Sequence, residues 1–213
     1  MAAVERVESL FPAMGTLVRL TAVGADADQA VDAGAAIARD LEGRLSRFRP
    51  DSEICTGKWS SDTAELLRLA DQFRSATDGA FDVGTPVDLG AIGKGYAVDA
   101  ILAAWRQLDL VRGMVNFGES SIGFRGDNWK VGLKDAGRIL RVAGGCLSTS
   151  SNASGHIVDR RMPPSPCSQP PLKSVTVLGA SATACEAWST AVIVDRSLLS
   201  RLPVGLSAVV TEP

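Results

Sequence analysis

The stretch RGMVNFGESSIGFRGDNWKVGLKDAGRILRVA, residues 112–143, decides the fold class. It divides into four short runs, RGMVNF, SIGFRG, NWKVGL and RILRVA. Glycine, aspartate and asparagine stand between the runs, where tight turns need them. The pattern predicts short antiparallel strands. Immediately upstream, PVDLGAIGKGYAVDAILAAWRQL (86–108) reads as an extended lead, a glycine-rich turn and a helix from about Tyr96. Further upstream, Asp62 as N-cap with Glu65 in capping-box position predicts a helix over 62–77. Its buried stripe is Leu66, Leu69, Ala70 and Phe73, and Asp78-Gly79 stops it. An earlier helix starts from a cap at Asp26 or Asp28. It carries Val31, Ile37, Ala38, Leu41, Leu45 and Phe48 at helical spacing and ends before Pro50. Residues 7–23 predict strand, with Gly15 at a turn or bulge.

Downstream of the deciding stretch, a proline-rich loop covers 163–171 and KSVTVLGA (173–180) predicts a strand. Ser181 caps a helix running to about Val194, and LSAVVT near the end is one more strand. Runs of helices and runs of hairpin-like strands imply an α+β fold, a mostly antiparallel sheet with packed helices. We expect a single domain over residues 1–213.

The 213 residues include 46 % apolar and 22 % charged side chains, enough for a sizeable core and too apolar for wholesale disorder. A net charge of -2 gives no nucleic-acid or membrane-surface footprint. The N-terminus lacks an apolar signal-peptide core, and no run reaches about 18 apolar residues. The expectation is a cytoplasmic protein without a membrane segment, or an extracytoplasmic one if a leader was removed. Cys55, Cys146, Cys167 and Cys185 include no C-x-x-C pair, so they read as reduced, mostly buried thiols. One histidine, His156, excludes a multi-histidine metal site.

Three places can carry chemistry. Gly90, Gly93 and Gly95 let the backbone approach a bulky anion such as a diphosphate, beside the positive end of the next helix. Lys94 adds a mobile charge there. An ordinary tight turn explains the same glycines, and neither the Walker spacing nor the dinucleotide fingerprint is present. Glu186 and Thr190 are four apart and share a helical face, offering oxygen ligands to a hard cation. The alternative is an exposed Glu and a Thr bonded to its own helix. His156 suits a general base near neutral pH, or is a bystander. No G-x-S-x-G elbow occurs, and Ser148–Ser151 reads as a polar loop.

In series, these pieces resemble the ApbE family, the FAD:protein FMN transferases. The resemblance runs through Ala13-Met14-Gly15-Thr16, Ser46–Ile54 (SRFRPDSEI) and Thr77–Asp82 (TDGAFD). Its most specific block is DLGAIGKGYAVD, Asp88–Asp99. Asn116-x-Gly118, His156-Ile157-Val158-Asp159 and Glu186-Ala187-x-x-Thr190-Ala191 follow in the family's order. The resemblance implies a site that binds FAD and Mg²⁺ and moves FMN onto a Thr or Ser hydroxyl of a target flavoprotein, releasing AMP. It implies metal ligation by Gly93, Glu186 and Thr190. It places Met14, Gly15, Thr16, Ser52, Glu53, Asp88, Gly90, Gly93, Lys94, Asn116, Gly118, His156 and Asp159 at the flavin nucleotide. His156, as base, and Lys94 are the implied catalytic residues. Family members commonly work outside the cytoplasmic membrane.

The chain also departs from the family. The late-helix acid is Glu186 in place of Asp, which moves the carboxylate by about 1.5 Å, one carbon–carbon bond. Asn116-Phe117-Gly118-Glu119-Ser120 stands for Asn-x-Gly-Gly-Asp. Asp159-Arg160-Arg161-Met162-Pro163 stands for Asp-Pro-Arg-Thr-Gly, and Lys58 for an Asn. Only Val83–Val87 separates two blocks that a long stretch normally divides. Two other activities suit the same residues, Mg²⁺-dependent hydrolysis of FAD to FMN and AMP, and flavin binding without turnover.

Overall fold

The computed structural model describes residues 5–152, 157–161 and 172–213. The four runs that open the sequence reading are strands, β3 (Leu110–Phe117), β4 (Ser121–Arg125), β5 (Trp129–Leu133) and β6 (Arg138–Val142). Upstream lie β1 (Glu5–Ala13) and β2 (Thr16–Gly24), and downstream β7 (Gly145–Ser151), β8 (Ser174–Gly179) and β9 (Ser207–Thr211). Seven strands form one sheet in the order β1-β2-β3-β4-β7-β8-β9, and every pairing in it is antiparallel. The fold is α+β with a large antiparallel sheet and packed helices.

Strands β5 and β6 form a separate hairpin. It covers one face of the sheet, where Trp129, Val131 and Val142 pack on Ile122, Phe124 and Leu147. The other face carries the main core under α1 (Ala27–Leu45), α4 (Gly93–Ala104) and α5 (Ala182–Val194). Strand β4 is therefore buried on both sides, and Gly123 gives α4 room. A Cβ there would stand 2.5 Å from Val98 and 2.6 Å from Leu102. Two shorter helices, α2 (Glu53–Thr56) and α3 (Ser61–Ala76), lie between α1 and α4 in the chain.

Several sequence expectations change in detail. The helix expected from Tyr96 begins at Gly93, so Gly93 and Gly95 belong to that helix. The cap of α3 is Ser60, whose hydroxyl accepts the Thr63 N–H, in place of Asp62. Glu65 pairs with Arg68 instead of reaching back to a cap. Helix α1 stops at Leu45, which leaves Phe48 80 % exposed. Ser148–Ser151, expected as a loop, belongs to β7, because its hydroxyls find partners inside the protein (below). Cys146 and Cys185 are buried free thiols and Cys55 is an exposed one. Burial pushes the Cys146 thiol up to about 12 and Cys185 upward as well. Cys167 and the loop 163–170 lie outside the described residues, as does Pro171.

Candidate functional site

A cavity of about 650 Å³ opens where the β1–β2 turn, the approach to α4, the strand β7 and the helix α5 meet. Met14, Gly15 and Thr16 line it from the turn, and Asp88, Gly90 and Lys94 from the approach to α4. Ser148 to Ser151 line it from β7, and Glu186 and Thr190 from α5. Its volume lies in the range of small-molecule sites. Helix α5 starts where Ser181 accepts the Ala184 N–H, so the four-residue spacing turns Glu186 and Thr190 to one side, as expected.

Glu186 is 4 % exposed, which excludes the reading of a solvated surface glutamate. Its Oε2 accepts the Gly95 N–H at 2.6 Å, and its Oε1 accepts the Ser121 hydroxyl at 3.1 Å. The Lys94 ammonium stands 2.7 Å from Oε1 and also donates to the Gly90 carbonyl at 2.9 Å. A buried carboxylate needs such partners, since unpaired it costs several kcal/mol. Thr190 Oγ1 lies 3.4 Å from the Ser150 hydroxyl, which in turn is 2.9 Å from the Ser189 hydroxyl. The amide that a helix N-terminus could offer to an external anion is, at Gly95, used by Glu186.

The α4–α5 crossing fixes these distances. Gly95 lets the helices touch, for a Cβ there would lie 2.5 Å from the Ala182 carbonyl oxygen. Asp99, on α4, accepts the Ala182 N–H at 2.8 Å and the Thr183 N–H at 2.9 Å. It also accepts the Ser181 and Thr183 hydroxyls. One carboxylate thus satisfies the amide donors that open α5 and ties them to α4.

The β1–β2 turn is held in the same way. Met14 and Gly15 have φ of 52° and 70°, as a two-residue hairpin turn of the primed type requires. Glu42 of α1 accepts the Met14 N–H at 2.8 Å and draws that turn to the helices. Approaching the cavity from the other side, Asp88 accepts the Gly90 N–H at 2.9 Å and pairs with Arg47 at 3.4 Å.

Other expected site residues have scaffold positions. Gly93 is buried as the first residue of α4, beneath the Met14 methyl group. Ser52 caps α2, and Glu53 accepts the N–H and hydroxyl of Ser60, each at 2.8 Å, so it secures the cap of α3. Asn116 accepts the Glu119 N–H at 2.8 Å in the β3–β4 turn. Gly118, at φ 60°, stands against the Thr16 side chain, where no Cβ fits. Asp159 accepts two N–H groups of the Arg161 guanidinium, which holds its carboxyl below the usual range. His156 lies outside the described residues.

The cavity lining also includes Arg47, Phe48, Asp82, Ser120 and Arg160, which were not among the expected site residues. Arg47 lies over the Phe48 ring, 4.6 Å from its centroid. A second cavity, of about 590 Å³, adjoins the first and shares Asp82 and Arg160 with it. Arg47 and Phe48 stand inside the quoted SRFRPDSEI block, a signal that could have found them. Arg160 stands in the quoted Asp159–Pro163 run, but its contact with Gly84, where a Cβ would stand 2.5 Å from a guanidinium nitrogen, joins residues far apart in the chain.

The donors facing this cavity from α5 are one carboxylate and one hydroxyl, and β7 adds more hydroxyls. Such an oxygen set fits a hard cation that takes most of its ligands from phosphate and water. Among the described residues no three His, Cys, Asp or Glu side chains gather to hold a metal by themselves. Among the described residues three cations (Arg47, Lys94, Arg160) face three carboxylates (Asp82, Asp88, Glu186), so these charged side chains balance. The arrangement suits a ligand that arrives with its charge already compensated.

Solved structures with this fold include the ApbE protein of Thermotoga maritima, with a TM-score of 0.81 and 20 % identity over 97 % of this chain and 94 % of that one. The flavin transferase ApbE of Vibrio cholerae gives 0.76 and 17 %, with 98 % of each chain covered. The flavinyl transferase ApbE of Pseudomonas stutzeri, apo form, gives 0.77 and 18 %, over 98 % and 96 %. At these identities the likeness is one of fold. No curated protein matches the chain. The ApbE family model, however, matches residues 14–86 and 83–198, a span that takes in the β1–β2 turn, the approach to α4 and the Glu186–Thr190 face of α5. The chain belongs to the ApbE family.

Proposed function

We propose that this protein is a flavin transferase, moving the FMN half of FAD onto a Thr or Ser hydroxyl of a target flavoprotein and releasing AMP. The observation that carries this reading is the buried Glu186, set with Thr190 and Lys94 at one cavity within an ApbE chain. The names of the Vibrio cholerae and Pseudomonas stutzeri proteins, a flavin transferase and a flavinyl transferase, support flavin transfer.

In the proposed reaction the acceptor oxygen bonds to the FMN-side phosphorus. The bond from that phosphorus to the bridging oxygen breaks, and the electron pair leaves with AMP. The acceptor proton passes to a base, for which His156 is the proposed residue. Lys94 and the Gly90 turn bind the diphosphate, and the Met14–Thr16 turn orients the flavin side. Glu186 and Thr190, with a Gly93 backbone oxygen, would hold Mg²⁺, which when bound neutralises charge on the transferred phosphoryl group. Burial under α4 and α5 keeps water away from the Glu186 carboxylate, where electrostatic effects are strongest.

The test is incubation with FAD, Mg²⁺ and a flavoprotein acceptor domain. Intact mass should show an FMN adduct on the acceptor, with AMP in equal amount. AMP without an adduct would replace the transferase with a hydrolase, and bound FAD with neither product would leave a binding protein. Among the described residues no helix is long and apolar enough to cross a membrane.

A further inference from the structure

The most buried acid of the cavity already has a cation of its own. The Lys94 ammonium sits between the Glu186 carboxylate, at 2.7 Å, and the Gly90 carbonyl, at 2.9 Å. A carboxylate and a carbonyl are the oxygen types that a hard divalent cation takes. The remaining contacts of Glu186 come from Gly95 and Ser121, which are fixed parts of α4 and β4. Lys94 is the mobile one, a flexible four-carbon stem with its side chain 22 % exposed.

We propose that Lys94 is the resident cation of this site and competes with a divalent metal for Glu186, so that the metal enters together with the diphosphate of the substrate. The proposal rests on the transferase reading for the identity of that substrate. The charge balance gives its reason. Among the described residues the cavity's three cations and three carboxylates already cancel. A divalent ion alone would add two positive charges beside Lys94, with one buried carboxylate between them. Like charges at contact distance repel steeply where water is excluded. A diphosphate brings two negative charges with the metal, restores the balance, and offers the displaced ammonium new oxygens. Lys94 then turns from Glu186 to the phosphates over a short path, because Gly90, which it already touches, lines the same cavity.

The experiment measures Mn²⁺ binding to the full chain by calorimetry and by the spin resonance of free Mn²⁺, with and without FAD. The wild type should bind Mn²⁺ weakly alone and more tightly with FAD. Lys94→Gln and Lys94→Met should bind FAD-free Mn²⁺ at least tenfold more tightly than the wild type, about 1.4 kcal/mol. Lys94→Arg, which keeps the charge, should stay as weak as the wild type. Equal or weaker FAD-free binding in both neutral variants overturns the proposal. Absence of coupling between FAD and Mn²⁺ in the wild type overturns the joint entry of metal and diphosphate, whereas the ranking is read without FAD and so stands apart from the transferase reading, which the adduct assay decides. Should the neutral variants not fold, the wild type decides. Acylation of Lys94, followed by peptide mass without FAD, should rise at least threefold at high Mn²⁺ as the metal frees the amine. Unchanged labelling overturns the competition.

Discussion

At the scale of single residues, Glu186 is the position on which the site depends. Its carboxylate joins α5 to the Gly95 amide, to Ser121 of β4 and to Lys94. Glu186→Ala should abolish FMN transfer, by at least a hundredfold. It should also lower stability by about 1–3 kcal/mol, since the buried Gly95 amide and Ser121 hydroxyl lose their acceptor. Glu186→Asp keeps the charge and should retain turnover. Adduct formation by mass and urea unfolding check the pair, and an active alanine variant would remove Glu186 from the mechanism. The pairing of Glu186 with Thr190 was legible in the sequence, because four-residue spacing on a helix is a local rule. Its partner Gly95 was not, because the contact joins residues 91 apart and arises only when α4 crosses α5. Asn116, Ser52 and Glu53, which the resemblance puts at the ligand, make local contacts, with the Glu119 amide, the Cys55 amide, and the Ser60 amide and hydroxyl. A motif marks that a polar residue is needed without marking what it holds.

At the scale of elements, the site is the product of one helix crossing. Gly95 sets how close α4 and α5 approach, and Asp99 sets their register by taking the first amides of α5. Gly95→Ala should destabilise the protein by about 1–3 kcal/mol, because a methyl group would meet backbone, which cannot swing aside. The same variant should weaken FAD binding at least tenfold, since separating the helices carries Glu186 away from Lys94. Asp99→Ala should lower stability by about 1–3 kcal/mol through the loss of its amide and hydroxyl acceptor. Fluorescence titration with FAD and thermal unfolding test both variants. A Gly95→Ala protein with unchanged FAD affinity would show that the crossing does not position the site. Glycines read from sequence as a turn are thus partly a packing device. The difference is invisible locally, since both uses need a missing side chain. The capping serine of α5 was legible, as its hydroxyl acts within its own first turn. For α3 the sequence offers Asp62 two residues from Ser60, and tertiary contact decides between them, through Glu53.

At the scale of the whole molecule, the sheet divides the labour of its two faces. The four short runs around residue 112–143 were readable as strands because turns punctuate them, whereas β7 was not, for its hydroxyls find their partners on β4, β8 and α5 only after folding. The hydroxyls of Ser148 and Ser121 stand 3.3 Å apart, and Thr149 meets Thr176 at 2.8 Å. Charge pairs then hold the rim of the helical face. The Arg161 guanidinium bonds Asp159 and also reaches Asp195 at 2.8 Å, the residue that follows α5. Arg161 holds the Asp159 carboxyl below its ordinary range, and at Asp195 its pull and that of Ser197 exceed the opposing effect of burial. Carboxyls held low in the folded state favour folding at any pH above their unfolded range near 4, and that contribution is lost as acid protonates them. Unfolding free energy should therefore stay level from about pH 8 to 5 and fall below about pH 4. Arg161→Met should be less stable than the wild type at pH 7 by about 1–3 kcal/mol, in line with a lost charge-assisted pair. Its acid limb should be shallower, so that the two proteins converge as acid protonates the carboxylates of both. Urea midpoints taken across pH would measure this, and parallel curves would show that Arg161 does not tie this rim to the end of α5.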